Sequence, residues 1–235
     1  MAEDDFGVES LAAYLHLDPA QVLKLAERGQ LPGRKVAGQW RFAPAVVHHW
    51  LEARMGLSSD LELEQMEGAL RRAAGEEAAP TISIVEQMPL DAIEVPLDAR
   101  TRGSVITSLV AVAARTGWLW DTAKMAEAVR AREDLFPTAL DNGVALLHPR
   151  RPLANLLDRP FLALGRTSRP LPFGAPRGAL TDLYFLVCST DDAGHLRTLA
   201  RLSRLLGDGE LLVELRQAPD AAAVRQAIAD RESRL

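Results

Sequence analysis

The sequence predicts a multidomain α/β protein, in which a small, mostly helical N-terminal unit precedes a larger α/β domain. Residues 8–54 are dense in short helical patterns, whereas from Ile82 onward short apolar strands alternate with amphipathic helices. Between these parts, residues 56–81 are polar, rich in Ala and Glu, and interrupted by glycines, which is typical of a linker; a short helix within it stays open. We therefore predict domains at residues 5–55 and 82–232, joined by the linker 56–81.

The composition is that of a globular protein. Of 235 residues, 48% are hydrophobic and 25% are charged, and the net charge of -5 excludes a protein that coats nucleic acid with its whole surface. The acidic N-terminus lacks a basic leader, and no apolar run approaches the roughly 20 residues that a membrane-spanning helix needs. Cys188 is the single cysteine, so no internal disulfide forms. We expect a cytoplasmic protein without membrane insertion.

The N-terminal unit begins with two short helical patterns. The first, VESLAAYLHL, places Val8 and Leu11 on one face. The second begins after Asp18, which is placed to cap it, with Pro19 at its first position, and Gly29 supplies a left-handed stop. Two short helices joined by a tight turn predict a helix-turn-helix, whose second helix enters the major groove of DNA.

A small hairpin is predicted next. Two extended pieces, Arg34–Val36 and Trp40–Phe42, flank the turn Ala37-Gly38, and the helix Pro44–Arg54 follows and closes the core. Trp40 and Phe42 are expected to pack against the helices; stacking on bases is the alternative. Between Leu11 and Arg54 there are six basic residues and three acidic ones, a local excess of positive charge that suits phosphate oxygens. The unit is therefore predicted to be a winged helix-turn-helix that binds DNA.

Adjacent histidines occur on the closing helix. His48 and His49 are about 100° apart around a helix and cannot hold one metal ion together, so they are interpreted as surface or packing residues. Nothing else in the sequence predicts a metal site or a cofactor.

The run SLAAYLHLDPAQVLKLAERGQLPGRKVAGQWRF, followed by HHWLEAR, resembles the excisionase-like, MerR-related helix-turn-helix family. The matching features are an A-x-Y-L helix, a helix ending in G-x-L-P, a basic hairpin with G-x-W-R-F, and a closing W-L helix. The resemblance implies double-stranded DNA as a partner. It implies that the major groove meets Gln21, Lys24 and Arg28, and that the DNA backbone meets Arg34, Lys35 and Arg41. A homodimer stays open.

The second domain is predicted to alternate strands and helices. Strands are predicted near Ile93–Pro96, Val144–Leu147, Phe161–Arg166 and Asp182–Cys188, and helices at Arg102–Arg115, Thr122–Arg132, Gly194–Leu206, Glu210–Gln217 and Ala221–Arg231. Periodicity does not decide whether the strands are parallel or mixed.

Two histidines stand out in this domain. His148 follows the strand Val144–Leu147, and strand ends in open α/β sheets are where ligand crevices form. A neutral imidazole can accept a phosphoryl group reversibly. His195 opens an amphipathic helix, and a helix N-terminus attracts anions. The two histidines are therefore candidates to bracket a phosphate; the alternative is that His148 is structural and His195 a surface residue.

The same region, from about Ile82 to Gln217, resembles the type-2 enzyme IIA domain of the phosphoenolpyruvate-dependent sugar phosphotransferase system, in its fructose, mannitol and nitrogen-related class. Four blocks match in order: RE-L at Arg132–Leu135, NGVAL-H at Asn142–His148, RP-PFGAP-G---DL-FL at Arg169–Leu186, and HL--LARLSRLL at His195–Leu206. The resemblance implies a mixed β-sheet flanked by helices. It also implies that a histidine phosphocarrier protein phosphorylates His148, and that His195 and Arg132 line the site.

The sequence departs from that family around the first histidine. The family has Pro before and Gly after it, where this chain has Leu147 and Pro149, and Pro149 lacks a backbone donor for phosphate. The family's Gly-rich loop is FPTALD here and keeps only Thr138, which we predict as a phosphate-binding residue together with Arg150.

Three functional hypotheses follow. The first is a DNA-binding regulator that senses phosphotransferase status through phosphorylation of His148. The second is a phosphohistidine carrier with transferase activity that passes phosphate to a sugar permease domain. The third is a degenerate domain that binds a partner and is never phosphorylated.

Overall fold

A computed structural model of the chain describes residues 5–15, 17–44, 46–47, 50–51, 68 and 82–235. It divides into two compact units, one built on the N-terminal residues and one on Ile82–Thr198 and Leu205–Leu235. The predicted linker 56–81, apart from Gly68, and the histidines His48 and His49 lie outside the described residues. The exact domain boundaries therefore stay a prediction. None of the described helices is long and apolar enough to cross a membrane.

Two helices open the N-terminal unit, as predicted. They are α1 at Val8–Leu15 and α2 at Pro19–Glu27. The Asp18 side chain accepts a hydrogen bond from the N–H of Ala20, and the Gln21 side chain accepts one from the N–H of Asp18, which completes a capping box. Gly29 has a φ of 67°, so the predicted left-handed stop after α2 is present.

The hairpin consists of β1 at Arg34–Val36 and β2 at Gln39–Arg41, which pair antiparallel. Both turn residues, Ala37 and Gly38, have positive φ, as a two-residue hairpin turn requires. Phe42 lies outside β2, contrary to the prediction, because its backbone pairs instead with Phe6. Phe42 is fully buried, so its packing interpretation is confirmed. Trp40 is half-buried and stacks on Phe42 with the ring centroids 6.0 Å apart, and its packing against the helices stays a prediction.

The closing helix is described in part. Residues 44, 46, 47, 50 and 51 are helical. Val47 and Leu51 are buried, and the Trp50 indole N–H donates to the carbonyl of Gln30. The closing helix thus contributes to the core of the N-terminal unit and is tied to the segment after α2.

The C-terminal unit contains a mixed sheet, which confirms the predicted fold class. Among the described residues, its strands are β3 at Ile93–Glu94, β4 at Val144–Leu147, β5 at Phe161–Pro172 and β6 at Leu180–Cys188, in the order β3-β5-β6-β4. The central pair, β5 and β6, is antiparallel, whereas β3 runs parallel to β5 and β4 parallel to β6.

Five α-helices of this unit are described. They are α3 at Arg102–Ala114, α4 at Thr122–Leu135, α5 at Asp192–Leu206, α6 at Gly209–Gln217 and α7 at Ala221–Glu232. Short 3-10 helices occur at Leu90–Ala92 and at Ala154–Leu156. The helices cover both faces of the sheet. Ala145, Leu147 and Leu186 belong to the core with α3 and α4, while the alternate residues Leu146 and Phe185 are buried on the opposite face.

Several element ends differ from the prediction. The pair β5–β6 extends to Pro172 and Leu180, past a register irregularity, into an exposed segment that has no apolar pattern. Helix α4 continues beyond Arg132 to Leu135. Its end is set by Pro137, which disfavours helical geometry at Phe136, whose φ of -151° is extended.

Candidate functional site

The sheet topology brings the ends of two strands to one edge. Because β4 and β6 are parallel and pair Leu147 with Leu186, the residues that follow them, His148 and Ser189, leave the same edge of the sheet. Helix α5 begins shortly after β6, and His195 lies in its first turn, where its N–H donates to the carbonyl of Asp191 at 3.0 Å. The fold thus places both candidate histidines at this edge.

The two imidazole rings are neighbours. Their centroids are 5.0 Å apart and the ring planes are tilted by 60°. Only 3% of His148 and 4% of His195 is exposed. His195 is therefore not the surface residue that the alternative interpretation required.

The tautomer of neutral His148 follows from one hydrogen bond. Its Nδ1 lies 2.8 Å from the carbonyl oxygen of Leu146. A carbonyl oxygen can only accept, so Nδ1 carries the proton and donates. In the neutral ring the lone pair is then on Nε2, which makes Nε2 the nucleophilic atom of His148.

His195 is held through the same ring position. Its Nδ1 lies 3.0 Å from the hydroxyl oxygen of Ser189, which is 4% exposed. Ser189 could not be singled out from the sequence, because a serine after an apolar strand is ordinary. The parallel arrangement of β4 and β6 is what brings it to the histidines.

A buried carboxylate organises the segment before β4. Glu133, 1% exposed, accepts hydrogen bonds from the N–H of Thr138 at 3.1 Å and from its hydroxyl, and the Arg102 guanidinium lies 3.4 Å away. Burial raises the pKa of Glu133, while the Thr138 hydrogen bond and the charge of Arg102 oppose the shift. In the sequence Glu133 was only part of a family match, because its burial depends on the tertiary fold.

This segment also affects His148. Thr138 pairs with β4, because its carbonyl accepts from the N–H of Leu146 at 3.4 Å and the next residues form an antiparallel bridge, Ala139 with Ala145. In a regular ladder the N–H of Thr138 would donate to the carbonyl of Leu146. Glu133 takes that N–H instead, and the carbonyl of Leu146 accepts from the His148 ring.

The other predicted phosphate ligands lie before β4, at Arg132 and Thr138, or in the loop after His148, at Arg150. Arg132 is 6% exposed in the last turn of α4, and its Nη1 donates to the carbonyl of Phe136 at 2.7 Å. The Thr138 hydroxyl is engaged by Glu133, and Arg150 is exposed. Pro149, the next residue after His148, is buried. The phosphate-binding roles of Arg132, Thr138 and Arg150 stay predictions.

The predicted DNA-binding residues occupy two surfaces of the N-terminal unit. Gln21 and Lys24 on helix α2 and Arg28 at its C-cap are exposed at helical spacing along one face. On the hairpin, Arg34 pairs with Asp5 at 3.0 Å, Lys35 lies 5.2 Å above the Trp40 ring, and Arg41 donates to Gln39. Their contacts with DNA stay predictions.

Comparison with known proteins identifies both parts of the chain. Residues 86–231 match the family described as "Phosphoenolpyruvate-dependent sugar phosphotransferase system, EIIA 2", and residues 6–55 match a helix-turn-helix domain. The finer assignment to an excisionase-like family stays a prediction.

Two curated relatives and one solved structure show the extent of the similarity. A nitrogen regulatory protein of Bradyrhizobium diazoefficiens is 37% identical over 105 residues, which cover 44% of this chain and 67% of that protein. The fructose-specific EIIABC component of Bacillus subtilis is 28% identical over 61% of this chain, which spans only 22% of that protein. The crystal structure of the nitrogen regulatory protein IIA-Ntr from Neisseria meningitidis superimposes with a TM-score of 0.56 and 26% identity, over 62% of this chain and 98% of that one.

Since the EIIA match covers more than half of its length, the chain belongs to the type-2 EIIA family of the phosphoenolpyruvate-dependent sugar phosphotransferase system, and it carries a helix-turn-helix domain at residues 6–55.

Proposed function

We propose that this chain is a DNA-binding transcriptional regulator whose EIIA domain senses phosphotransferase status through reversible phosphorylation of His148. The observation that carries the proposal is the pair of buried imidazoles, His148 and His195, with the lone pair of His148 on Nε2. The helix-turn-helix match in the same chain supplies the second half of the proposal.

Phosphoryl transfer to His148 requires little covalent chemistry from the protein. The donor is a phosphohistidine on the phosphocarrier protein; its N–P bond breaks as a new bond forms between phosphorus and Nε2 of His148. The rest is positioning and charge stabilisation. His195 lies beside His148 at the start of α5, where the helix dipole also favours an anion.

Arg132 is the proposed cationic contribution. In the antiparallel register of the Ala139–Ala145 bridge, continued along the chain, Phe136 would lie opposite His148. The Arg132 guanidinium donates to the carbonyl of Phe136, so its end is held beside this segment. A guanidinium at this place would offset the charge that phosphate brings.

The donor must be a protein with a protruding phosphohistidine. His148 is 3% exposed, so the donor has to present its phosphoryl group to a largely buried imidazole. Leu135 and Phe136 are 57% and 58% exposed on the segment that leads to β4, and apolar side chains of this kind suit a docking partner. These features support the phosphocarrier protein as partner.

Phosphate on His148 adds up to about two negative charges. To act as a signal, this charge must change DNA affinity by changing docking or dimerisation of the N-terminal unit. The similarity to proteins named nitrogen regulatory proteins favours a regulatory role over a purely metabolic one.

The experiment compares DNA affinity in two states of the same chain. A binding site is first selected from a random double-stranded DNA pool, and its affinity is then measured at fixed salt with and without phosphorylation. We expect a change of about fivefold or more, the lower range of allosteric coupling. The variant His148→Gln should bind DNA equally under both conditions. Equal affinities of the unmodified and phosphorylated chain would refute the regulatory coupling.

A second candidate is a phosphoryl carrier for a sugar permease. It is favoured by the similarity to the fructose-specific EIIABC component. If the phosphorylated chain passed its phosphate to an isolated permease domain within one incubation, the carrier function would replace the regulatory one.

A further inference from the structure

We propose that Ser189 is a positioning residue for His195: its hydroxyl donates to Nδ1 and thereby makes Nε2–H the group that His195 presents to a phosphoryl group on His148. This inference rests on the proposed function, because it assigns a task to His195 in the phosphorylated state.

The place of Ser189 is fixed by the fold. It directly follows β6, is 4% exposed, and its Oγ lies 3.0 Å from Nδ1 of His195, which is equally buried. In the chain between Ser189 and His195, the Asp191 side chain accepts a hydrogen bond from the N–H of Gly194 at 2.7 Å, and the Asp191 carbonyl accepts one from the N–H of His195. Asp191 therefore holds the backbone of the first turn of α5, and Ser189 holds the ring.

The chemistry decides the direction of the Ser189–His195 hydrogen bond. A hydroxyl can donate or accept, and a neutral imidazole has one nitrogen of each kind. Phosphoryl oxygens only accept, so His195 stabilises them only through an N–H. That N–H is on Nε2 when the Ser189 hydroxyl donates to Nδ1. If Nδ1–H donated to Ser189 instead, a lone pair of His195 would meet the phosphate oxygens and repel them.

The two rings therefore have opposite tautomers. His148 carries its proton on Nδ1, because the Leu146 carbonyl accepts it, and uses Nε2 as nucleophile. His195 carries its proton on Nε2, because Ser189 occupies Nδ1. The hydrogen bond at one ring nitrogen sets the role of the other.

Nitrogen NMR tests the tautomers without any phosphorylation. The full chain is labelled with 15N-histidine and measured at pH 8, above the ordinary histidine pKa of about 6.5. We expect a pyridine-like Nδ1 and a protonated Nε2 for His195, with the reverse for His148. In Ser189→Ala the Nδ1 resonance of His195 should move, because it loses its donor. A protonated Nδ1 in His195 of the unsubstituted chain, or an unmoved resonance in Ser189→Ala, overturns the proposal.

Transfer kinetics test the consequence. The rate of phosphoryl transfer from the phosphocarrier protein to His148 should fall about tenfold in Ser189→Ala, the lower end of the loss seen when the partner that orients a metal-ligating histidine is removed. Ser189→Thr, which keeps the hydroxyl, should recover most of the rate. Ser203→Ala is the matched control, since Ser203 is also a buried serine but lies two turns along α5 from His195. Equal rates for Ser189→Ala and Ser203→Ala would overturn the proposal.

Failure of the proposed function has a different signature. In that case the unsubstituted chain takes no phosphate on His148, whereas the NMR assignment of His195 still decides whether Ser189 sets its tautomer.

Discussion

Replacing Glu133 by Gln tests how the segment beside His148 is held. The Glu133 carboxylate accepts both the N–H and the hydroxyl of Thr138 and lies 3.4 Å from Arg102. Both of these bonds go to Oε1, while Oε2 accepts a longer one from the same N–H at 3.3 Å and faces Arg102. Gln can keep the oxygen at the Oε1 position but has an NH2 group in place of Oε2, so the longer hydrogen bond is lost. The Arg102 side chain is 34% exposed, so its ion pair contributes little. One lost hydrogen bond corresponds to a loss of about 1 kcal/mol in the free energy of unfolding.

The pH dependence of this loss has a definite sign. In the unfolded chain Glu133 ionises near its ordinary value of 4.5, but burial raises its pKa in the folded protein. Between the two pKa values the folded state keeps a proton that the unfolded state releases, so stability falls as the pH rises through this window. Gln does not titrate. The difference in stability between the unsubstituted chain and Glu133→Gln should therefore be larger near pH 4 than at pH 7.

Hydrogen exchange in the central strands measures this free energy for the C-terminal unit alone. Amides of β5 and β6 are followed at both pH values, corrected for intrinsic exchange rates, in the unsubstituted chain and in Glu133→Gln. Glu127→Gln, an exposed position on the same helix, is the control and should change little. A loss for Glu133→Gln that grows with pH would refute the reasoning, because it would mean that folding lowers the pKa of Glu133.

Three further changes have expected outcomes. Asp18→Ala removes the cap of α2 and should lower the stability of the N-terminal unit by about 1 kcal/mol, measured by thermal unfolding; an unchanged midpoint would contradict the capping role. Asp5→Asn releases the Arg34 side chain, which is 72% exposed, so DNA affinity should rise about twofold to fivefold at low salt with a steeper salt dependence; weaker binding would exclude Arg34 as a phosphate contact. Tyr184→Phe removes the hydrogen bond from the phenol to the carbonyl of Thr181 and should lower the free energy of unfolding by about 1 kcal/mol, measured by hydrogen exchange. Burial raises the pKa of Tyr184 to about 12, so its phenol should stay neutral in an absorbance titration up to pH 11; earlier ionisation would contradict its burial.

Local signals in the sequence predicted most of the fold. The cap Asp18, the stop at Gly29 and the buried strand Val144–Leu147 are encoded by neighbouring residues, and the structure has all three where they were predicted. The extensions of β5 and β6 were not predicted, because pairing between the two strands, and not the local sequence, determines where they end. The outer part of β5 and β6 pairs although its residues are exposed and lack apolar alternation.

In the candidate site, too, some residues could be recognised from the local sequence and others only from tertiary contacts. His148 and His195 could be found because each follows or begins a recognisable element. Ser189 and Glu133 could not be assigned roles, because what makes them important is a contact with a residue brought near by the sheet or by the turn before β4. A serine or glutamate of this kind has no distinguishing neighbours in the sequence.

The most direct test of the account is the site and the atom of phosphorylation. The full chain is incubated with phosphoenolpyruvate, enzyme I and the phosphocarrier protein, and the product is examined by phosphorus–proton NMR and by mapping of the acid-labile phosphate. The account predicts one phosphoryl group, on Nε2 of His148, because the Leu146 carbonyl occupies Nδ1. Attachment at Nδ1, attachment to another residue, or no attachment at all would contradict it.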